Sequence, residues 1–309
     1  MQIFDNNNIS SLNKKTYIAL GSFDGLHLGH IRLIKECISL AKENNGLSMV
    51  FTFKNHPLTI INPEKAPKLL MDNENKASIL RSIGVDILTL VDFNKEFMET
   101  PAEDFIVKLV NNFNLGGVVV GFNYRFGHKN QGDVNLLKKL SVKYNFIVKI
   151  MDPLEAKEEL ISSSRIRALI ENGNITEANQ VLYKPFMISG KVIHGKQLGR
   201  TLGYPTANID TDKRFIIPKS GVYYTLVRYN NDIYKGMTNI GYNPTVELSN
   251  KINIETYILN FDKEIYNDYI TLYFIERIRD EEKFHSLEAL IDQMNRDYSY
   301  VKSKNIEEI

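Results

Sequence analysis

The feature that most constrains the fold is a change in hydrophobic periodicity near Lys184-Pro185. Before it, short apolar runs alternate with amphipathic stretches. Tyr17–Leu20, Leu47–Phe53, Asp86–Leu90, Gly117–Gly121 and 146–150 read as strands, and 28–44, 74–83, 102–113 and 133–144 as helices; Ile31, Ile34, Cys37, Ile38 and Ala41 share one face of the first helix. Near-continuous apolar strands in β-α-β order predict a parallel sheet covered by helices on both faces, an α/β fold. Short helices at 163–171 and 175–182 close this half. From 186 to 278 the pattern becomes short strands rich in Val, Ile, Tyr and Thr, such as Gly221–Val227, Ile252–Leu259 and Tyr269–Ile275, separated by Gly, Pro and Asn turns. No helix-length segment intervenes, so this half should be a small antiparallel sandwich or barrel. A C-terminal helix at 285–302, with Leu287, Leu290, Ile291, Met294 and Tyr298 on one face, should pack against it. Two domains are expected, 1–183 and 184–309, as a length of 309 residues suggests.

Composition narrows the class. Lys+Arg is 38 against 37 Asp+Glu, a net charge of +1, so no broad basic surface and no nucleic-acid partner is expected. With 43% hydrophobic residues the chain is too apolar for disorder. The single cysteine, Cys37, cannot form an internal disulfide, which fits a reducing compartment, and its place on an apolar helix face reads as core packing. The N-terminal segment lacks a cationic stretch followed by an apolar core, and no apolar run approaches the roughly 20 residues of a membrane helix. A cytoplasmic protein with no membrane partner is expected.

Chemistry concentrates at two places. The first is Gly21-Ser-Phe-Asp-Gly-Leu-His-Leu-Gly-His30, between the first strand and first helix. Glycines there allow backbone to approach a ligand, and a helix start offers unpaired N–H groups to an anion. His27 and His30 are three apart and can flank one ligand, donating hydrogen bonds to phosphoryl oxygens. Metal ligation is the alternative, but no third ligand stands at a diagnostic spacing. Nor does the glycine spacing match G-x-G-x-x-G. A second anion-type helix start is Ile161-Ser-Ser-Ser-Arg-Ile-Arg167, where a serine can cap and two arginines sit in a first turn that disfavours cations unless an anion docks.

The other place is His194-Gly-Lys-Gln-Leu-Gly-Arg-Thr-Leu-Gly-Tyr-Pro-Thr-Ala-Asn-Ile209. Gly195 to Gly199 is one residue short of a P-loop, and no helix follows. Thr206 and Asn208, two apart in an extended segment, project to the same side and offer hard neutral oxygens suited to Mg²⁺ arriving with nucleotide phosphates. Glu255 shares a strand face with Asn253 and Tyr257, opposite Ile252, Ile254 and Ile258. Periodicity alone leaves it a solvent-facing charge or a base for an attacking hydroxyl. The loop Phe122–Phe126 lies past a strand's carboxyl end, where a flat aromatic ligand could stack, or the loop's own core could.

H-x-G-H after the first strand with a later Ser-Ser-x-Arg-x-Arg resembles the nucleotidyltransferase superfamily. The longer strings resemble the bifunctional bacterial riboflavin kinase/FAD synthetase family: Gly21–His30, Thr52-Phe53 with His56-Pro57, Val120–Gly127 and Ile161–Arg167, then Gly199–Asn208, Gly221–Tyr223, Asn239–Gly241 with Pro244-Thr245, and Glu255 before Asn260-Phe261. The chain has Tyr257-Ile-Leu-Asn-Phe261 where that family often has His-Leu-Leu-Asp-Phe.

The resemblance implies a Rossmann-like nucleotidyltransferase domain followed by a β-barrel kinase domain. Its substrates and products would be ATP, riboflavin, FMN and FAD, with Mg²⁺ as cofactor and a monomer or weak homo-oligomer as the state. It implies Glu255 as the kinase base, Thr206 and Asn208 as holders of Mg-nucleotide, and His27, His30 and Arg165 as the groups that stabilise charge in adenylyl transfer. Ligand contacts carry over to Gly21, Phe23, Asp24, Gly25, Gly29, Asn123, Ser162, Ser163, Ser164 and Arg167, and to Gly199, Gly203 and Pro205 in the second half.

Overall fold

In the computed structural model, residues 1–5, 12–156, 159–195, 203–242, 252–306 and 309 are described. They form two compact units, Met1–Ser162 and Ser163–Ile309.

The first unit is built on strands β1 (Gln2–Asp5), β2 (Thr16–Leu20), β3 (Leu47–Phe53), β4 (Ile87–Val91), β5 (Leu115–Gly121) and β6 (Ile147–Met151). All pairs are parallel, in the order β1-β4-β3-β2-β5-β6. The sheet order therefore reverses at β2, between β3 and β5, and such a switch point opens a crevice at the strands' carboxyl ends. Connecting helices are α1 (Leu28–Glu43), α2 (Leu58–Ile61), α3 (Asn73–Ser82), α4 (Lys95–Glu99), α5 (Ala102–Phe113) and α6 (Val134–Tyr144). Ile18, Leu20, Met49, Phe51, Val118 and Val120 pack with Ile106, Leu109 and Phe113 of α5 and Leu137 and Leu140 of α6 in one core. Helix α1 lies against β2, β3 and β5. There Cys37 is buried, its Sγ donating to the Tyr17 carbonyl at 2.9 Å, and burial pushes the thiol up to about 12. Strand β1 is not legible in the sequence; four residues extend the sheet at its edge purely by pairing with β4.

A short antiparallel pair, β7 (Glu155–Ala156) and β8 (Glu159–Leu160), follows β6. In the second unit, β9 (Met187–Ile193), β10 (Thr206–Asp210), β11 (Gly221–Tyr229), β12 (Asp232–Tyr242), β13 (Ile252–Ile258) and β14 (Tyr269–Arg279) close an antiparallel barrel in the order β10-β13-β12-β11-β14-β9. The barrel, rather than the sandwich, is the outcome because β9 pairs both β10 and β14 and leaves no edge. Inside it, Thr225, Thr238 and Thr256 are fully buried and satisfy one another, with Oγ1 separations of 2.7 and 2.9 Å.

Helices α7 (Ser163–Glu171) and α8 (Ile175–Val181), which the alternating pattern groups with the first half, belong to the barrel unit. Asn179 of α8 donates to the Phe274 carbonyl of β14 at 2.8 Å and accepts from Phe186 N at 2.8 Å. The C-terminal helix, α9 (Leu287–Ser303), starts at Ser286, whose hydroxyl accepts from Ala289 N. Its expected apolar face is only partly buried, and Leu287 is exposed. Its buried residues are Asp297 and Val301. A bidentate pair between Arg279 of β14 and Asp297 (2.8 and 2.9 Å to Oδ2) fastens the helix, so a charge does what the sequence reading assigned to apolar side chains.

Candidate active sites

In the first unit, the turn from β2 into α1 stands at the switch point. His27 is the N-cap of α1: its Nδ1 accepts from His30 N at 3.2 Å. An accepting Nδ1 fixes the tautomer, leaving Nε2–H as a donor. The two imidazoles stack at 3.5 Å between centroids, and Phe23 meets His30 edge-on at 5.3 Å. Burial pushes His27 down to about 4 and, with the neighbouring His27 and Lys76 charges, holds His30 well below the usual histidine range. Both rings are thus neutral near pH 7, and the His30 Nδ1 is buried with no hydrogen-bond partner among the described residues.

The other residues of the turn divide between lining and scaffolding. Gly21 and Phe23 line a cavity, and Phe23 adopts a left-handed backbone (φ 44°) that is costly outside glycine. Asp24 is buried and its carboxylate accepts from Leu70 N at 3.0 and 3.3 Å. Gly25 has φ +82°, and a Cβ there would meet Leu70 Cδ1 at 2.8 Å. Gly29 is half-buried in the first turn of α1.

The cavity, about 680 Å³, opens at the carboxyl ends of β2, β3 and β5. His30, Asn123, Tyr124 and Arg125 give it polar groups, while Phe51, Phe53, Phe93, Phe97, Phe105 and Phe126 make an aromatic wall. A large apolar cleft with few convergent polar groups suits a flat aromatic ligand bearing a polar tail. In the loop after β5, Phe126 is core, Tyr124 stacks on it at 5.7 Å, and Phe122 is exposed. This loop is legible in the sequence; the wall from β3, the segments around α4 and the start of α5 is not, although phenylalanines at 51, 53, 93, 97 and 105 signal it.

Ser162 ends the first unit, and Ser163, Ser164, Arg165 and Arg167 open α7 in the second. Arg165 is half-buried and Arg167 is buried, which is unusual for arginines at a helix start with no acidic residue in its first turn.

On the barrel, strand register sets a row. Asn208 of β10 and Asn239 of β12 are both directly opposite Glu255 of β13, so three polar residues stand side by side across three strands. Thr206 is opposite Tyr257, one step along the same face. Ile254, Thr256 and Ile258 alternate into the barrel interior, which leaves Glu255 on the outer face, half-buried and accepting from the Asn253 carboxamide. Asn208 is itself buried, and its carboxamide occupies the space a Cβ on Gly195 would need. Pro205 and Gly203 are exposed in the turn before β10; Gly199 lies outside the described residues. Tyr204 in that turn packs on Tyr257 at 5.1 Å and donates to Asn295 of α9 at 2.5 Å, tying the turn to the helix. Beyond Arg279, Glu281 accepts from Asn239 at 3.4 Å and Phe284 lies under the Arg279 guanidinium at 5.8 Å.

A switch-point anion turn on one unit and an Asn-Glu-Asn row on a closed barrel define a two-module transferase. Family models agree on each half: FAD synthetase matches residues 9–165 and riboflavin kinase residues 182–304. The chain is 39% identical over 281 residues, 91% of its length and 89% of the relative's, to the bifunctional riboflavin kinase/FMN adenylyltransferase of Listeria monocytogenes. It is 34% identical to the protein of that name in Bacillus subtilis, over 92% of this chain and 90% of the relative. A crystal structure described as a macrolide-efflux protein from Streptococcus pneumoniae superposes with a TM-score of 0.89 at 30% identity, covering 99% of this chain and 100% of that one. The chain belongs to the bifunctional riboflavin kinase/FMN adenylyltransferase family. Among the described residues, no helix is long and apolar enough to cross a membrane.

Proposed function

We propose that the two steps of this transferase are divided between the histidine turn and the barrel row, as functional modules 1–183 and 184–309. The enzyme phosphorylates riboflavin from ATP to give FMN, then transfers AMP from ATP to FMN, giving FAD and pyrophosphate. The observation that carries the assignment is the capped, neutral His27–His30 pair beside an aromatic cavity at the switch point.

In adenylyl transfer, an FMN phosphate oxygen attacks the α-phosphorus of ATP directly and pyrophosphate leaves. No covalent enzyme intermediate is needed, because the attacking group is already an anion. The enzyme's task is to orient two anions and stabilise charge on the phosphoryl oxygens. His27 donates through Nε2–H and His30 is held against it by stacking; for Arg165, which opens α7, the family resemblance supports a charge-stabilising role. Gly21, Phe23, Asn123 and the phenylalanine wall hold the flavin, while Ser162, Ser163, Ser164 and Arg167 hold nucleotide phosphates; Asp24 and Gly25 shape the turn.

In the kinase step, Glu255 accepts the proton of the riboflavin 5′-hydroxyl as its oxygen attacks the γ-phosphorus. Thr206 and Asn208 position the nucleotide, with Gly203 and Pro205 shaping the turn before them; Gly199 is a ligand contact on the family resemblance alone. Their neutral oxygens fit Mg²⁺ delivered with phosphates rather than a resident ion; among the described residues no group of three His, Cys, Asp or Glu could hold one. Mg²⁺, when bound, supplies neutralisation of phosphate charge.

Feeding the purified protein riboflavin, ATP and Mg²⁺ should yield FMN and then FAD by chromatography, and Glu255→Gln should abolish both while leaving FAD formation from supplied FMN intact. Undiminished FMN production by that variant would overturn the role of Glu255. Absence of both products from the unaltered protein would overturn the reading as a whole.

A further inference from the structure

Beneath the histidine turn lies a lysine that no step above uses. Lys76, in the first turns of α3, is only 4% exposed. Burying an ammonium is costly unless partners replace its water. Yet among the described residues its Nζ makes a single long hydrogen bond, 3.5 Å to the Ser22 carbonyl, and no carboxylate lies within ion-pair distance. The nearest acidic groups are engaged elsewhere. Asp24 accepts from Leu70 N, and Asp72, the N-cap of α3, accepts from Asn75 N at 2.7 Å and from the Asn75 carboxamide at 2.6 Å. A buried cation so sparsely hydrogen-bonded weakens the fold, with Asp24 and Asp72 offsetting part of the cost by attraction.

Its position explains what it serves. The Ser22 carbonyl accepts from the Thr52 hydroxyl at 2.8 Å and more distantly from Lys76, so two side chains meet the peptide leading into Phe23. The next residue, Phe23, takes the left-handed conformation, and Ser22, Phe23 and His30 all line the cavity. We propose that Lys76 is a positioning residue of adenylyl transfer: it clamps the Ser22 carbonyl, thereby holding the strained turn that aims Phe23 and the two histidines, and its ammonium supplies positive charge at the floor of the phosphate site. The proposal rests on the reading of this turn as the adenylyl-transfer site.

The charges facing His30 are His27 on its own turn and Lys76 from α3; Asp24 and Asp72 act on Lys76 in turn. The Lys76 ammonium disfavours a second positive charge on His30, so it helps keep that ring neutral. Removing the ammonium should let His30 bind a proton at higher pH.

The test uses the full-length protein, whose barrel gives an internal control. Lys76→Met should lower kcat for FAD formation from FMN and ATP about 10- to 100-fold, the scale of loss from misplacing catalytic groups, with KM for FMN little changed. FMN formation from riboflavin should stay at the unaltered rate. The imidazole titration of His30, followed by NMR, should move towards ordinary histidine values, which a merely structural lysine would not cause. Lys76→Gln, which keeps a donor for Ser22 but no charge, should recover part of kcat without restoring the titration, and it serves if the Met variant does not fold. Unchanged kcat in both variants, or an unmoved His30 titration, would overturn the proposal. His30→Ala is the reference: if it retains FAD synthesis the reading of the turn fails, whereas if it loses that activity while Lys76→Met keeps it, only the inference about Lys76 fails.

Discussion

His27 has two roles that a single alanine variant would confound, and the geometry shows how to separate them. Its Nδ1 caps α1 by accepting from His30 N, while its Nε2–H is the donor assigned to the phosphates. Asparagine is among the best N-caps, so His27→Asn preserves an acceptor for that N–H while deleting the ring and its distal donor. Alanine deletes cap and donor together, and both variants lose the packing of a ring that is 6% exposed. Loss of the cap costs about 1 kcal/mol, and with lost packing the alanine variant should be destabilised by roughly 1–3 kcal/mol. In a unit of this size each kcal/mol lowers Tm by about 2–4 °C. Loss of one transition-state donor costs about 100- to 1,000-fold in kcat. The expected pattern is therefore two near-equal losses of FAD synthesis with unequal stability: both variants lower in Tm than the unaltered protein, and Ala lower than Asn by the worth of the cap. The assay is FAD formation from supplied FMN and ATP, with riboflavin phosphorylation in the same preparation as control and thermal unfolding alongside. If His27→Asn keeps FAD synthesis within a few-fold, the imidazole is a cap alone and its catalytic assignment is wrong.

Acid should weaken the first unit through the same ring. His27 titrates at about 4 when folded against 6.5 when not, so its stabilisation is complete above pH 6.5 and is lost as pH falls towards 4, on the order of 3 kcal/mol in all. His30, also held down by burial, adds to the loss in the same direction. Urea unfolding between pH 7.5 and 4.5 checks this, and a flat midpoint would contradict it. In the barrel, Asp297→Ala leaves Arg279 without its partner at a site where both side chains are largely buried, and about 3 kcal/mol of stability should go. Denaturant unfolding together with riboflavin phosphorylation measures the effect; a loss below about 1 kcal/mol would mean that α9 is held by other contacts.

Much of the fold could be read from period alone. Strands β2 to β6 and helices α1, α3, α5 and α6 fall within a residue or two of their expected limits, because each is a local run whose burial is written into its own pattern. Edge strand β1 was invisible, since it exists through pairing with β4, more than 80 residues away in sequence. The place of α7 and α8 was also hidden: an amphipathic helix shows that it packs, not on what, and here Asn179 selects the barrel. For α9 the pattern suggested an apolar seam, and the anchor is instead an ion pair that no periodicity records.

The candidate sites divide in the same way. By itself the sequence determined the chemistry available: histidines three apart at a helix start, Thr206 and Asn208 two apart in an extended segment, and a strand glutamate. These are local facts, set by spacing along the chain. Only the tertiary structure decided that Asn208 and Asn239 flank Glu255, that phenylalanines from four segments meet in one cavity, and that Lys76 is buried beneath Ser22. Strand order, barrel closure and desolvation bring distant residues together, and it is desolvation that keeps His27 and His30 neutral, a state their spacing could not disclose.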